Sequence, residues 1–255
     1  MHDISTADSG SRYPHTATVF TGSADIEEKY NKQPRPVFIN PRNMRGKTLP
    51  CGILINRGII RIGTFSSVAA HWLPNIIRAF RKDYPEIEYE LLLGDYSETE
   101  TWIEKGRADF GFLRLPSEGD FESIFLEDDR LCAVIPKNHR LAKSEVFPIE
   151  ELCSEPFMLL DKDNNTDISA LFEKYSLKPD IKFTTWDDYA IMSMVECGLG
   201  ISVLPELILR RIPYDICVKP LSVPAYRKIG VAFKSKKALS AAAKEFLKYL
   251  DFRNG

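Results

Sequence analysis

Ile59-Ile60-Arg61-Ile62-Gly63-Thr64, followed by Phe65-Ser66-Ser67, is the stretch on which the reading of the fold turns. Three isoleucines in four residues read as a buried strand, and the Gly-Thr-x-Ser-Ser after them reads as the turn leading out of it. Leu73, Ile76, Ile77, Phe80 and Tyr84 then recur at i, i+3, i+4, i+7 and i+11, the apolar face of a helix that Pro85 ends. Residues 87–93 predict a second strand, and Gly94-Asp95-Tyr96-Ser97 a turn. A short helix carrying Trp102 and Ile103 follows, then a third strand over 108–113. The order is βαβαβ, which favours parallel strands joined by right-handed crossovers.

A second set of elements begins after Phe125-Leu126-Glu127-Asp128. Residues 131–135 read as a strand stopped by Pro136, and 157–160 as another, followed by a helix through Leu171, Phe172 and Tyr175. Residues 180–184 read as a strand, and Asp187 or Asp188 caps a helix bearing Ile191, Met194 and Val195. Gly198 and Gly200 end that helix, residues 201–204 form a strand, and Pro205 suits the opening of a further helix. Short strands over 216–218 and 227–233 and an amphipathic helix over 239–250 complete the chain. The expectation is an α/β fold of two lobes of similar size. Lobe I covers about 59–127 and 226–255 and lobe II about 128–225, which suggests two crossings between them.

Residues 1–58 read differently. Prolines at 34, 36, 41 and 50 interrupt any periodicity, and the segment predicts a poorly ordered leader without a helix-turn-helix. It carries eight basic and five acidic side chains, so the rest of a chain of formal net charge −2 is acidic. An acidic body argues against direct contact with nucleic acid. The five cysteines (Cys51, Cys132, Cys153, Cys197, Cys217) are scattered and never form a CxxC pair, which suggests neither a disulfide framework nor a zinc site. With no signal-like start and no apolar run long enough to span a bilayer, the expected location is the cytoplasm, without membrane contact.

Several motifs occur in the order found in a known family. Gly63-Thr64-x-Ser66-Ser67, then Leu73-Pro74 with Phe80 and Tyr84-Pro85, resembles the start of the effector (substrate)-binding domain of LysR-type transcriptional regulators. Gly106-x-x-Asp109-x-Gly111-Phe112 resembles its third-strand signature. Leu126-x-Asp128, Pro136 and His139-x-Leu141-Ala142 resemble its entry into the second lobe, and Met194-Val195-x-x-Gly198-x-Gly200-Ile201-x-x-Leu204-Pro205 its late motif. The resemblance covers nearly all of 59–250. It implies a periplasmic-binding-protein-like (type 2) fold of two Rossmann-like lobes with the ligand cleft between them, a small-molecule effector, a side-by-side homodimer and a role in transcription regulation. It also implies an N-terminal winged helix-turn-helix, which residues 1–58 do not supply. DNA contact is therefore expected only through a headpiece missing from this chain.

In open α/β sheets ligands lie beyond the carboxyl ends of strands, where helix N-termini point. That rule nominates Thr64, Ser66 and Ser67 after the first strand, Gly94 and Asp95 after the second, and Arg114 after the third. In the other lobe it nominates Asp161 and Lys162, then Thr184 and Thr185. The serines equally suit helix capping, Asp161 a turn, and Arg114 a solvated surface. Trp72, Trp102 and Trp186 can border a cleft, with buried packing the more common role. His139 is read as part of a structural turn.

No catalytic motif, metal-ligand spacing or dinucleotide fingerprint is present, so neither enzyme nor cofactor is expected. The leading expectation is a sensor of a small polar or anionic metabolite. A stand-alone solute-binding protein of the same fold, an enzyme on a two-lobed scaffold, and a truncated regulator acting through mixed dimers remain alternatives.

Overall fold

The computed structural model describes residues 57–160 and 167–255. Strand β1 (Gly58–Thr64) runs parallel to β2 (Ile87–Leu93) on one side and to β3 (Phe110–Arg114) on the other. This is the expected βαβαβ arrangement. The helical segment between β1 and β2 is in two pieces, α1 (Ser66–His71) and α2 (Leu73–Asp83), meeting at the buried Trp72. Leu73, Ile76 and Phe80 lie on the buried face of α2, as their spacing predicts. Helix α3 (Tyr96–Glu104) returns the chain to β3. Gly63 and Gly111 are partners on the neighbouring strands β1 and β3. A Cβ on Gly63 would meet the Thr99 methyl at 2.9 Å, and one on Gly111 at 2.3 Å. The two missing side chains let α3 lie directly on the sheet, which fixes where its N-terminus points.

Strand β4 (Glu122–Pro136) departs from the expectation. The sequence predicts a strand only over 131–135, whereas the structure has 15 continuous strand residues with a bulge between Phe125 and Glu127. The run Glu127-Asp128-Asp129-Arg130 conceals the alternation because its charges are matched across the sheet. Asp128 lies opposite Lys228, and Asp129 opposite Arg227, on β9 (Tyr226–Phe233). The first nine residues of β4 belong to the sheet β2-β1-β3-β9-β4 of lobe I. The remainder pairs with β7 (Ile201–Pro205) and β8 (Ile216–Pro220) in lobe II, where β7 continues to β5 (Pro156–Leu160) and β6 (Asp180–Thr185). The chain thus crosses between lobes within β4 and returns between β8 and β9, so the two sheets share one strand.

Lobe II is packed on both faces of its sheet. Leu131, Ala133 and Ile135 of β4 point into one cluster with Phe157, Phe172 and Val203. Cys132 and Val134 point into the other, with Met158, Ile191 and Leu204. The two-residue strand period delivers alternate side chains to opposite faces, and helices α4 (Asp167–Lys174) and α5 (Asp188–Glu196) each cover one. Helix α5 ends as its glycines predict. Gly198 takes φ +74°, its N–H donates to Val195 and that of Leu199 to Met194. Pro205, expected to open a helix, is instead the last residue of β7, and only a 3₁₀ turn, Ile208–Arg211, follows. The expected terminal helix is α6 (Ala241–Phe246), capped by the Ser240 hydroxyl and continued by 3₁₀ turns to Asn254. No helix among the described residues is long and apolar enough to cross a membrane.

Candidate functional site

Strand ends and the starts of α1, α3, α4 and α5 converge on a cavity of about 370 Å³ between the lobes. From lobe I, the end of β1 brings Phe65, Ser66 and Ser67, the β2–α3 turn brings Gly94, Asp95 and Tyr96, and β3 ends in Arg114. From lobe II come Leu160 at the end of β5, Asp167 and Ile168 at the start of α4, Trp186 and Asp188 around the start of α5, and Pro205 ending β7. Leu131 and Arg227 line it from the shared strand and its neighbour.

The sequence nominations divide on this geometry. Ser66, Ser67, Gly94, Asp95 and Arg114 all line the cavity. Thr64 does not: it is fully buried behind the wall, its hydroxyl directed to the Phe65 carbonyl. Thr184 and Thr185 do not line it either, because β6 is the outer strand of its sheet and leaves Thr184 facing solvent. The Thr185 hydroxyl accepts the Asp187 N–H. The chain enters the cleft one residue later, through Trp186. Asp161 and Lys162 lie outside the described residues.

At the floor is a residue the sequence did not nominate. Arg227 is 7% exposed, and each terminal nitrogen of its guanidinium has a partner. Nε donates to Asp129 at 2.8 Å, Nη2 lies 2.7 Å from the same carboxylate and 2.8 Å from the Ser67 hydroxyl, and Nη1 is 3.1 Å from the Tyr96 hydroxyl. The guanidinium also lies over the Phe65 ring, 4.9 Å from its centroid. Asp129, 4% exposed, uses its other oxygen to accept the Leu207 N–H at 2.9 Å. Burial alone would depress the Arg227 pKa; Tyr96, Asp129 and Asp167 overcome that and hold the charge firmly.

Lobe I also reaches across to lobe II. Asp167 lies 3.5 Å from Arg114 and 3.4 Å from the Tyr96 hydroxyl. Burial raises its pKa, while Arg227 and Arg114 act against that. Asp188, the first residue of α5, is 9% exposed and bonds to the Ser66 hydroxyl. Burial pushes its carboxyl up to about 6, with repulsion from Asp187 adding and Arg227 opposing. The lining holds five carboxylates and two guanidiniums.

The tryptophans separate clearly. Trp72 is buried against Phe112. Trp102 packs behind Gly63 and Gly94. Trp186 is 58% exposed and borders the cavity, against the packing role expected of it. His139 occupies the structural turn expected of it. Its Nδ1 accepts the Leu141 N–H at 3.0 Å, which leaves Nε2 to carry the proton towards Glu155 at 2.7 Å. Among the described residues no group of three or more His, Cys, Asp or Glu could hold a metal ion.

Comparisons with known proteins agree with this architecture. Residues 56–253 match the LysR substrate binding domain family. The uncharacterized HTH-type transcriptional regulator YvbU of Bacillus subtilis is 30% identical over 192 residues, 74% of this chain and 65% of that relative. The crystal structure of HinK, a LysR family transcriptional regulator from Pseudomonas aeruginosa, superposes with a TM-score of 0.68 at 29% identity, covering 79% of this chain and 72% of that one. The regulatory domain of Synechocystis CcmR, solved in complex with 2-PG, shares the fold at a TM-score of 0.70 and 24% identity, covering 76% of this chain and 96% of that one. With the family match spanning most of its length, the chain belongs to the LysR substrate-binding domain family.

Proposed function

We propose that this chain is the sensing part of a transcription regulator, and that a small polar metabolite entering the interlobe cavity biases how the lobes close. The observation that carries this reading is the convergence of hydrogen-bonding side chains from both lobes on one cavity, with Arg114, Tyr96 and Ser66 of lobe I reaching Asp167 and Asp188 of lobe II. A ligand seated among them touches both lobes, so its affinity differs between open and closed arrangements, which is the condition for shifting their populations. The cavity is of the size that takes one small organic molecule. CcmR, solved with 2-PG, supports this role by fold alone.

The cleft serves binding without catalysis in this reading. The buried Arg227 is committed to Asp129, and the half-buried Asp95 to the start of α3. Pairing into a homodimer, a cytoplasmic location, and contact with DNA through a separate headpiece belong to the same proposal. A thermal-shift screen of a metabolite panel, run on the chain and on Ser66→Trp, tests it. Some members raise the melting temperature of the parent, and the indole filling the cavity abolishes the response while circular dichroism stays native. A response that persists in Ser66→Trp places the ligand elsewhere and overturns the proposal.

A further inference from the structure

An anion is the ordinary guest where helices begin, because backbone N–H groups and the helix dipole favour negative charge. At the starts of α3 and α5 those donors are already occupied by the protein's own carboxylates. Asp95 accepts the Glu98 N–H at 2.7 Å and the Ser97 hydroxyl at 2.9 Å. Asp187 accepts the N–H groups of Tyr189 at 2.9 Å and Ala190 at 3.3 Å. The two guanidiniums are committed as well, Arg227 to Asp129 and Arg114 to Asp167. A carboxylate arriving at either of these helix starts or at either guanidinium would have to break one of these pairs.

The opposite charge meets a different situation. Asp188 lines the cavity, is 9% exposed, and among the described residues has a hydroxyl but no ion-pair partner. Arg227 opposes the effect of burial on this carboxyl without forming an ion pair with it; a buried carboxylate compensated only in part is costly, and a cation beside it removes that cost. The walls nearby are apolar and aromatic: Phe65, Tyr96, Leu160, Ile168 and the exposed Trp186. An aromatic face attracts a cation and also accepts hydrocarbon.

We propose, resting on the sensing role above, that the effector is an organic cation: a protonated nitrogen paired with Asp188, carried on an apolar or aromatic body that packs against Trp186. This reverses the sign expected from the helix starts alone. The pairing also places the ligand beside Ser66 of lobe I, so the same contact joins the two lobes.

The test is calorimetric titration of the full chain with matched probes. Several primary amines, phenethylamine and a short linear diamine among them, are each compared with the carboxylate and alcohol of the same skeleton, such as 3-phenylpropanoate and 2-phenylethanol. The expected result is that at least one amine binds about tenfold or more tighter than both counterparts, and that Asp188→Asn removes this preference while leaving the fold intact. An absence of amine binding, or an amine preference unchanged in Asp188→Asn, overturns the inference. Binding of the carboxylates over the amines, abolished by Ser66→Trp, overturns the charge assigned to the ligand and leaves the cleft standing as the sensing site.

Discussion

Two buried charges at the cleft are treated in opposite ways. Arg227 on β9 faces Asp129 on the shared strand, and between them their oxygens and nitrogens bond to each other, Ser67, Tyr96 and the Leu207 backbone. Asp188, as deeply placed, has the Ser66 hydroxyl and no ion pair among the described residues. The first arrangement completes itself at the point where the chain changes lobes. The second is completed, in the proposal above, by an incoming cation. The distinction is physical: a paired buried charge holds geometry, whereas an unpaired one stores a cost that a ligand can relieve.

Removing the arginine breaks the first half of that contrast and has the largest expected effect. Arg227→Met leaves Asp129 buried without its counter-charge and lowers unfolding stability by about 3–5 kcal/mol in urea denaturation. The double variant Arg227→Met with Asp129→Leu recovers much of that loss, because no charge is left stranded.

Asp188→Asn acts on the other half, in the opposite direction. With a folded-state carboxyl pKa of about 6 against 3.8 unfolded, the group binds more protons folded than unfolded between those values. Stability therefore falls as pH rises from 3.8 through 6, and the full cost is present above that. Asp187 and Arg227, the charges facing this carboxyl, and the Ser66 hydroxyl remain in the variant. Asp188→Asn is accordingly more stable than the parent by up to about 3 kcal/mol at pH 8, with the gain vanishing near pH 3. Urea titrations at the two pH values check both ends.

Ser67→Ala removes one bond to the Arg227 guanidinium and costs about 1–2 kcal/mol by the same measurement. Trp186→Ala marks the small end: the side chain is 58% exposed, so stability changes by about 0.5 kcal/mol or less while affinity for aromatic amines drops.

Much of this could be read before any coordinates. The parallel strands of lobe I, the faces of α2 and α5, and the wall residues Ser66, Ser67, Gly94, Asp95 and Arg114 follow from periodicity and the strand-end rule. That rule carries no information about sheet edges, so it could not place Thr184 and Thr185 outside the cavity, nor Trp186 and Asp188 inside it. Arg227 was hidden for another reason. Arg227-Lys228 at the start of an apolar run looks like a solvated strand end, and its partner Asp129 is 98 residues away. The charged run 127–130 likewise disguised the middle of β4, whose match to β9 only the pairing reveals. A search for opposite charges on strands expected to cross between lobes is the signal that could have found the pair.

Hydrogen–deuterium exchange with a bound effector from the amine panel tests the central claim most directly. The account predicts simultaneous protection at the start of α1, around Ser66–Val68, and at the start of α5, around Asp188–Ile191, because one molecule bridges the lobes there. Protection confined to a single lobe, or appearing away from these two helix starts, would contradict it.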